Sequence, residues 1–547
     1  MFRIGIDFDN TIACYDSAFV SVAALLGIPL RDTPSNKVEV KREIQSQAQG
    51  DLVWQRLQGQ VYGTHMHLAT PFPGIHEFIS LAQMRGHEVF IVSHKSIYGH
   101  FDADRIPLRS QAKLWLNENK FFRSRRLGLQ KSNIFFESTR EEKIQRIIEL
   151  KCTHFIDDLI DVFEEDIFPP NVQKFLFNPS KLKQNIPNTK ITNSWRQAAV
   201  DILGPWSENE VLQAAHEYFP DLEISKADLK MGRANSRVYK LSSIDAKSYL
   251  LKIYPDQQTD LRPRLETEFA AIQILSEISY PVGTAVACEL NFGWGIYEWL
   301  DGTPVDNCDE TFIQDSINFI QRLYTDSHHT AAFTQFGFAS EACLSGVEIS
   351  DQIETRINKL LIVSDPALTM FIDHDFAPVL EMALKNATSL RGNLFDEILH
   401  QRYQIASPSD FGAHNALRLS SGKVMFYDFE YFGWDDPVKL VSDFYWHPGM
   451  ALSTKTRRFW RDSATAIFNA DPDFSARLMA YLPLFGLRWC LIILNVFLKS
   501  EMSQVTDADP RQKMSHDPLC GQQLSKAKAL LQEIKEHLHH GSKVQAS

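Results

Sequence analysis

Ile6-Asp7-Phe8-Asp9-Asn10-Thr11-Ile12 follows directly on the opening residues Met1–Gly5. The short apolar run Arg3–Phe8 predicts a buried strand. Asp7 and Asp9 fall at its carboxyl end, and on a continuing strand residues two apart point to one side. Paired carboxylates at a strand end suit a divalent cation and leave one carboxylate for chemistry. A strand-terminal aspartate is also an ordinary helix N-cap, so the pair alone leaves both readings open.

Working outward, other strand ends repeat the theme. Gly74–Arg85 reads as an amphipathic helix and His87–Val92 as an apolar strand, with Ser93 at the end of Phe90-Ile91-Val92-Ser93. Glu141–Leu150 reads as a helix with Lys143 near its start, Lys131 being the competing lysine. Thr153–Ile156 predicts a strand that runs into Asp157-Asp158-Leu159-Ile160-Asp161, and Val172–Phe177 a last strand. Strands alternating with helices imply a parallel sheet covered on both faces, with its site at the carboxyl ends of the strands. Helical, polar sequence over about residues 14–70 interrupts the alternation as an insertion after the first strand.

In order and spacing, these four segments resemble the signatures of the haloacid dehalogenase (HAD) superfamily. The resemblance covers residues 1–204 and implies an α/β Rossmann-like domain with a helical cap at 14–70. It implies that Asp7 is the nucleophile forming an aspartyl-phosphate and that Asp9 is the acid and base. Ser93 would hydrogen-bond the phosphoryl group, and Lys143 would neutralise charge on the nucleophile and phosphate. Asp157 or Asp158 would bind Mg²⁺, together with Asp7 and the backbone at Asp9. The DDLID segment places Asp161 one residue earlier than the superfamily's form, which leaves its role open. Caps select substrates, and the sequence does not say which.

Past Leu203-Gly-Pro-Trp206 the pattern changes. Ser236–Leu241 and Ser248–Tyr254 read as strands, Arg264–Ile278 as a helix, and further strands fall around Ala285–Leu300. From Thr311 onward the sequence is mostly helical, with a polar loop over Glu501–Pro518 and a closing helix over Leu524–His539. Gly232-Arg-Ala-Asn235 suits a turn over phosphates, though with one glycine the signal is slight. Lys252, flanked by apolar residues, needs a partner if buried, and Glu268 or Glu266 is available. Ser409-Asp410-Phe411-Gly412-Ala413-His414-Asn415 precedes an apolar strand, Val424–Tyr427, and then Asp428-Phe429-Glu430.

This second constellation resembles the aminoglycoside phosphotransferases and choline-kinase-like enzymes, relatives of protein kinases. The resemblance implies a two-lobed α+β domain over 205–547, with an N-lobe at about 207–305 and a C-lobe at about 306–547. Asp410 would orient and deprotonate an acceptor hydroxyl, and Asn415 and Asp428 would hold Mg²⁺ on the phosphates of ATP or GTP. Lys252, oriented by Glu268, would contact those phosphates, with the backbone from Gly232 to Asn235 above them. Glu298 to Leu300 would meet the base. The family's His-Gly before the catalytic aspartate is here Pro408-Ser409, which puts the loop geometry in question.

The bulk numbers bound these readings. A chain of 547 residues exceeds one hydrophobic core. A net charge of −12, with no P-loop, argues against nucleic-acid partners and against polynucleotide end processing. Seven scattered cysteines without a CxxC pair argue against structural zinc and fit a reduced, cytoplasmic setting. The long apolar stretch Leu478–Leu498 contains Arg488 and Asn495 and reads as a buried helix, not a membrane span. The expectation is a bifunctional phosphatase and small-molecule kinase, whose acceptor the residues do not identify and whose oligomeric state is unknown. A sugar or sugar phosphate is one conceivable acceptor. Rival readings are an antibiotic-modifying kinase with an appended phosphatase, and a non-catalytic nucleotide-binding regulator.

Overall fold

The computed structural model of the chain describes residues 1–30, 34–99, 105–124, 127–179, 186–230, 237–255, 260, 262–450, 452–498 and 518–545. Packing divides them into two units: Met1–Arg262 with Val286–Tyr297, and Pro263–Ala285 with Glu298–Ser547. This division does not follow the expected boundary at 204/205, because the small β-rich segment packs into the first unit.

In the first unit, Arg3–Ile6 (β1) leads by way of Ala13–Cys14 (β2) into three helices, Asp16–Leu25 (α1), Lys37–Gln45 (α2) and Gly50–Tyr62 (α3). Thr70–Pro71 (β3) returns antiparallel to β2, so the helical insertion leaves and rejoins the domain at one place. The chain continues through Ile75–Met84 (α4), Glu88–His94 (β4), Leu108–Glu118 (α5), Ile134–Glu137 (β5), Arg140–Glu149 (α6), His154–Asp157 (β6) and Ile160–Glu164 (α7). Gln173–Phe177 (β7), Thr189–Thr192 (β8) and Trp195–Ile202 (α8) complete it.

Six of these strands form one parallel sheet in the order β5-β4-β1-β6-β7-β8. The period of two decides the faces. Ile91, Ile156, Phe175 and Phe177 enter one apolar cluster, with Phe78 of α4 and Ala198 of α8. Their neighbours Phe90, Val92, Phe155 and Leu176 enter another, with Ile144 and Ile147 of α6. Both faces are therefore covered, as alternating strand and helix signals require. Strands β5 and β8 and helices α5, α7 and α8 are not among the elements expected from the sequence.

The rest of this unit is Glu208–Tyr218 (α9) and a five-stranded sheet. Its strands are Ile224–Lys230 (β9), Arg237–Ser243 (β10), Ser248–Ile253 (β11), Ala285–Glu289 (β12) and Trp294–Glu298 (β13), in the order β12-β13-β11-β10-β9. Ser207 and Glu210 form a reciprocal capping box that starts α9. Val211, Ala214 and Ala215 of α9 then pack with Tyr239, Leu251 and Trp294 of the sheet.

The second unit begins with Arg264–Glu277 (α10), whose position matches the expected helix. It is mostly helical, as expected. Three short strands, Gly302–Pro304 (β14), Ala416–Leu419 (β16) and Val424–Phe426 (β17), pair antiparallel in the order β14-β16-β17. Ile405–Ser407 (β15) pairs with Gly433–Asp435 (β18). The apolar stretch becomes the helix Phe474–Ile493, which holds Arg477 and Arg488 in its buried part. It is the one helix among the described residues long and apolar enough to cross a membrane, and 67% of its most apolar window is buried in the fold. The helix Pro518–Gln545 packs against it, and most of the expected polar loop, residues 501–517, lies outside the described residues.

Candidate active sites

Three adjacent strands, β4, β1 and β6, bring their carboxyl ends to one edge of the parallel sheet. Asp7 follows β1, and its N–H still pairs with the Ile156 carbonyl at 2.9 Å. Asp157 ends β6, and Ser93 sits buried near the end of β4. The Phe155 ring of β6 lies over Gly5 of β1, where a Cβ would stand 2.5 Å from it. Beyond Asp9 the chain turns sharply. Asn10 takes φ 56°, a left-handed conformation asparagine tolerates, and Trp195 Nε1 donates to the Thr11 carbonyl at 2.9 Å.

Thr139 caps α6, and one turn later Lys143 points into the site. Its Nζ donates to Asp7 Oδ1 at 2.6 Å and to Asp157 Oδ2 at 2.7 Å, with all three side chains at least nine-tenths buried. Burial pushes the Asp7 carboxyl up to about 7, against the pull of Lys143. Burial works against the Lys143 charge, but Asp157 and Asp7 together hold its ammonium above the usual range. Asp158 is raised well above the ordinary range by burial first and then by Asp7 and Asp157. Lys131, the rival lysine, is exposed on a separate turn. Asp161 is also exposed and faces Arg140 at 3.5 Å, outside the site.

Carboxylate oxygens of Asp7, Asp157 and Asp158 lie within 4.8 Å of one another. A cluster of hard oxygen donors fits Mg²⁺. The Asp157 oxygens already accept from Lys143 and from the Leu159 N–H, which leaves Asp158 the freer of the two acids. The Asp9 carboxylate stands outside this cluster. It accepts from Lys95 Nζ at 2.8 and 2.9 Å and from the Tyr15 hydroxyl at 2.5 Å. Neither partner was singled out from sequence. Lys95 had a signal available, since it lies two residues beyond Ser93 and shares its side of the strand.

In the second unit Asp410 lies between β15 and β16. His414 Nε2 stands 2.8 Å from its Oδ1, and Asn415 Nδ2 donates to its carbonyl at 2.9 Å. The His414 ring stacks on His447 with centroids 3.8 Å apart. Burial disfavours the Asp410 charge, yet the His414 contact holds the carboxyl down at about 2. Where the resemblance expects glycine, Ser409 adopts φ 64°, and Asp428 adopts φ 70°. Left-handed non-glycine residues are uncommon and cluster at functional sites. The Ser409 strain is held in place: its N–H donates to Ser407, and Lys439 Nζ donates to its hydroxyl at 2.9 Å. Lys439 is itself buried beside Asp435 at 3.0 Å.

Asn415 and Asp428 are linked through the backbone, where the Tyr427 N–H donates to the Asn415 carbonyl at 3.0 Å. The acids gathered with Asp428 are Glu268 and Glu430, their oxygens within 4.8 Å of one another. Glu268 is buried on α10 and accepts from the Phe429 N–H at 3.2 Å, whereas Glu266 is exposed. Lys252 is buried on β11 in the first unit, and Glu268 belongs to the second. Glu298 is exposed at the end of β13 and accepts from the Thr284 hydroxyl at 3.0 Å, and Leu300 lies beside Gly283. Gly232 and Asn235 lie outside the described residues.

No family model matches the chain. No curated protein matches it either. Among solved structures the chain is similar to the choline kinase LicA of Streptococcus pneumoniae at 14% identity, over 59% of this chain and 99% of that one, with a TM-score of 0.40. It is similar to a choline/ethanolamine kinase family protein of Mesorhizobium loti at 16% identity, over 61% and 98%, with a TM-score of 0.40. It is also similar to a spectinomycin phosphotransferase solved with ADP and spectinomycin, at 11% identity, over 62% and 99%, with a TM-score of 0.41.

Proposed function

We propose that the chain carries two phosphoryl-handling activities. Residues 1–204 form a HAD-type phosphatase with the helical insertion as its cap, and residues 205–547 form a small-molecule kinase using ATP or GTP. The observation that carries the first is Lys143 bridging Asp7 and Asp157 in a buried site at the carboxyl edge of a parallel sheet. A carboxylate beside a fixed ammonium is equipped to attack the phosphorus of an anionic phosphoryl group, because the ammonium offsets the charge on its oxygens.

Asp7 attacks phosphorus, the bond to the leaving oxygen breaks, and an aspartyl-phosphate forms. Lys143 offsets the charge of nucleophile and phosphoryl, and Ser93 hydrogen-bonds the transferring group. Asp9 delivers a proton to the leaving oxygen and then takes one from the water that releases phosphate. Asp7 and Asp158 would hold Mg²⁺, which supplies charge stabilisation to the phosphoryl group.

The kinase reading rests on Asp410, Asn415 and Asp428 in two strained, strand-linked loops. Asp410 orients the acceptor hydroxyl and takes its proton. Asn415 and Asp428 suit Mg²⁺ on the nucleotide phosphates. The acceptor belongs to the class of small polar hydroxyl compounds. A sugar or sugar phosphate, phosphorylated at one hydroxyl and dephosphorylated at another, unites both activities in one cytoplasmic pathway.

Phosphorus NMR of the protein with Mg²⁺, ATP and a panel of sugars, sugar phosphates and aminoglycosides tests this. New phosphoester signals absent only in Asp410→Asn, and phosphate release absent only in Asp7→Asn, support two activities. Identical spectra for wild type and both variants overturn the proposal.

A further inference from the structure

Three lysines face the acids of the amino-terminal site, and two of them are matched. Lys143 pairs with Asp7 and Asp157, and Lys95 pairs with Asp9. The third, Lys37, comes from the first turn of α2 in the helical insertion. Its Nζ donates to Asn10 Oδ1 at 3.2 Å and to the Tyr62 hydroxyl at 3.1 Å, both uncharged oxygens. It lies 5.5 Å from the centroid of the Phe19 ring and 5.8 Å from that of Tyr62, and it forms no ion pair among the described residues. Burial alone works against its charge, but Tyr62, Asp158 and Asp9 raise it above the usual lysine range. An ammonium whose direct contacts are uncharged oxygens, with Asp158 and Asp9 acting on it only from a distance, can take an anion in direct contact.

The position says where that anion sits. On the phosphatase reading the helical insertion is the cap, which faces the leaving portion of the ester. Lys37 comes from that insertion and donates to Asn10 beside Asp9, the residue assigned to the leaving oxygen. The transferring phosphoryl is served by Lys143, from α6. The Lys37 N–H is fixed by Asp16 Oδ1 at 2.9 Å, and Asn36 caps the same helix, so the side chain starts from a held backbone.

We infer that the phosphomonoester taken by this site carries a second acidic group on its leaving portion, and that Lys37 binds that group. The inference rests on the phosphatase reading and names the substrate class that reading left open: a phosphate ester bearing a further carboxylate or phosphate.

The test compares ethyl phosphate with phosphoglycolate and with ethylene glycol bisphosphate, which add a carboxylate or a second phosphate. Binding of each to the full chain with Mg²⁺ is measured by calorimetry in the Asp7→Asn background, where turnover is blocked. The acidic esters are expected to bind roughly ten- to a hundredfold more tightly, the worth of a charge-assisted hydrogen bond. The tighter of the two acidic esters identifies the second group as carboxylate or phosphate. Lys37→Met is expected to bring the ratio to about one, and Lys37→Arg to retain most of it. A ratio near one before substitution, or one that Lys37→Met leaves in place, overturns the inference. So does loss of all binding in Lys37→Met, which would put Lys37 on the transferring phosphoryl instead. Phosphate release by wild type is read in parallel. A ratio that behaves as expected without any phosphate release upholds Lys37 as an anion site and overturns the phosphatase reading alone.

Discussion

Lys143 Nζ lies 2.6 Å from Asp7 Oδ1, joining residues 136 positions apart in the chain. The ammonium also serves Asp157, so one cation holds two buried acids at adjacent strand ends.

Removing that cation leaves two buried carboxylates unmatched. Lys143→Met is expected to lower stability by about 3 to 5 kcal/mol at neutral pH, the usual cost of breaking a buried pair. Adding Asp7→Asn should recover part of the loss, because one of the stranded charges is gone. Urea unfolding of the single and double variants, followed by tryptophan fluorescence, checks both signs.

Lys95 and Tyr15 converge on Asp9, and this clamp should matter for turnover. Lys95→Met is expected to slow phosphate release by roughly a hundredfold, the lower range for a displaced acid–base group. The loss should be larger for an alkyl phosphate than for p-nitrophenyl phosphate, whose leaving group needs little protonation. Equal losses on both esters would separate Lys95 from the Asp9 role.

The acid limb of the kinase reaction should move with His414. Asp410 is held at about 2 because His414, His447 and Asn415 together outweigh burial. In His414→Asn burial acts with less opposition, so the Asp410 carboxyl rises. The base works only when ionised, so the transfer rate should begin to fall at a higher pH on acidification than in wild type. A transfer-rate profile against pH that is superimposable for the two proteins would contradict this.

Acid should also weaken the first unit through His76. This half-buried ring packs against Phe121, with centroids 4.1 Å apart and its Nε2 enclosed, and desolvation lowers it from 6.5 to about 3. The unfolded chain takes up the proton first. Stability is therefore full above pH 6.5 and declines as pH falls from 6.5 towards about 3. The loss amounts to a few kcal/mol, and His76→Phe should flatten that part of the curve. Denaturation midpoints at a series of pH values measure it.

The sequence alone made the chemistry-bearing strand ends visible. Short apolar runs ending in Asp7, Ser93 and Asp157 stand out because a strand covered on both faces is mostly apolar, so a polar residue at its carboxyl end breaks the run. The spacing of Asp410, Asn415 and Asp428 is local in the same way, since strands β16 and β17 form one short hairpin between them. The alternation of strands and helices likewise announced the layered sheet.

Partner choice was a matter for the tertiary structure. Nothing local separates Lys143 from Lys131 or Glu268 from Glu266; burial decides, and burial depends on which helix face meets the sheet. Lys95, Tyr15 and Lys37 reach the site from three different elements, brought together by contacts of 86, 6 and 27 residues' separation. The left-handed turn at Ser409 was hidden too, because a serine takes that conformation only where neighbours such as Lys439 hold it. Local sequence carries period and strand ends, but an ion pair in a buried site is set by packing across the whole unit.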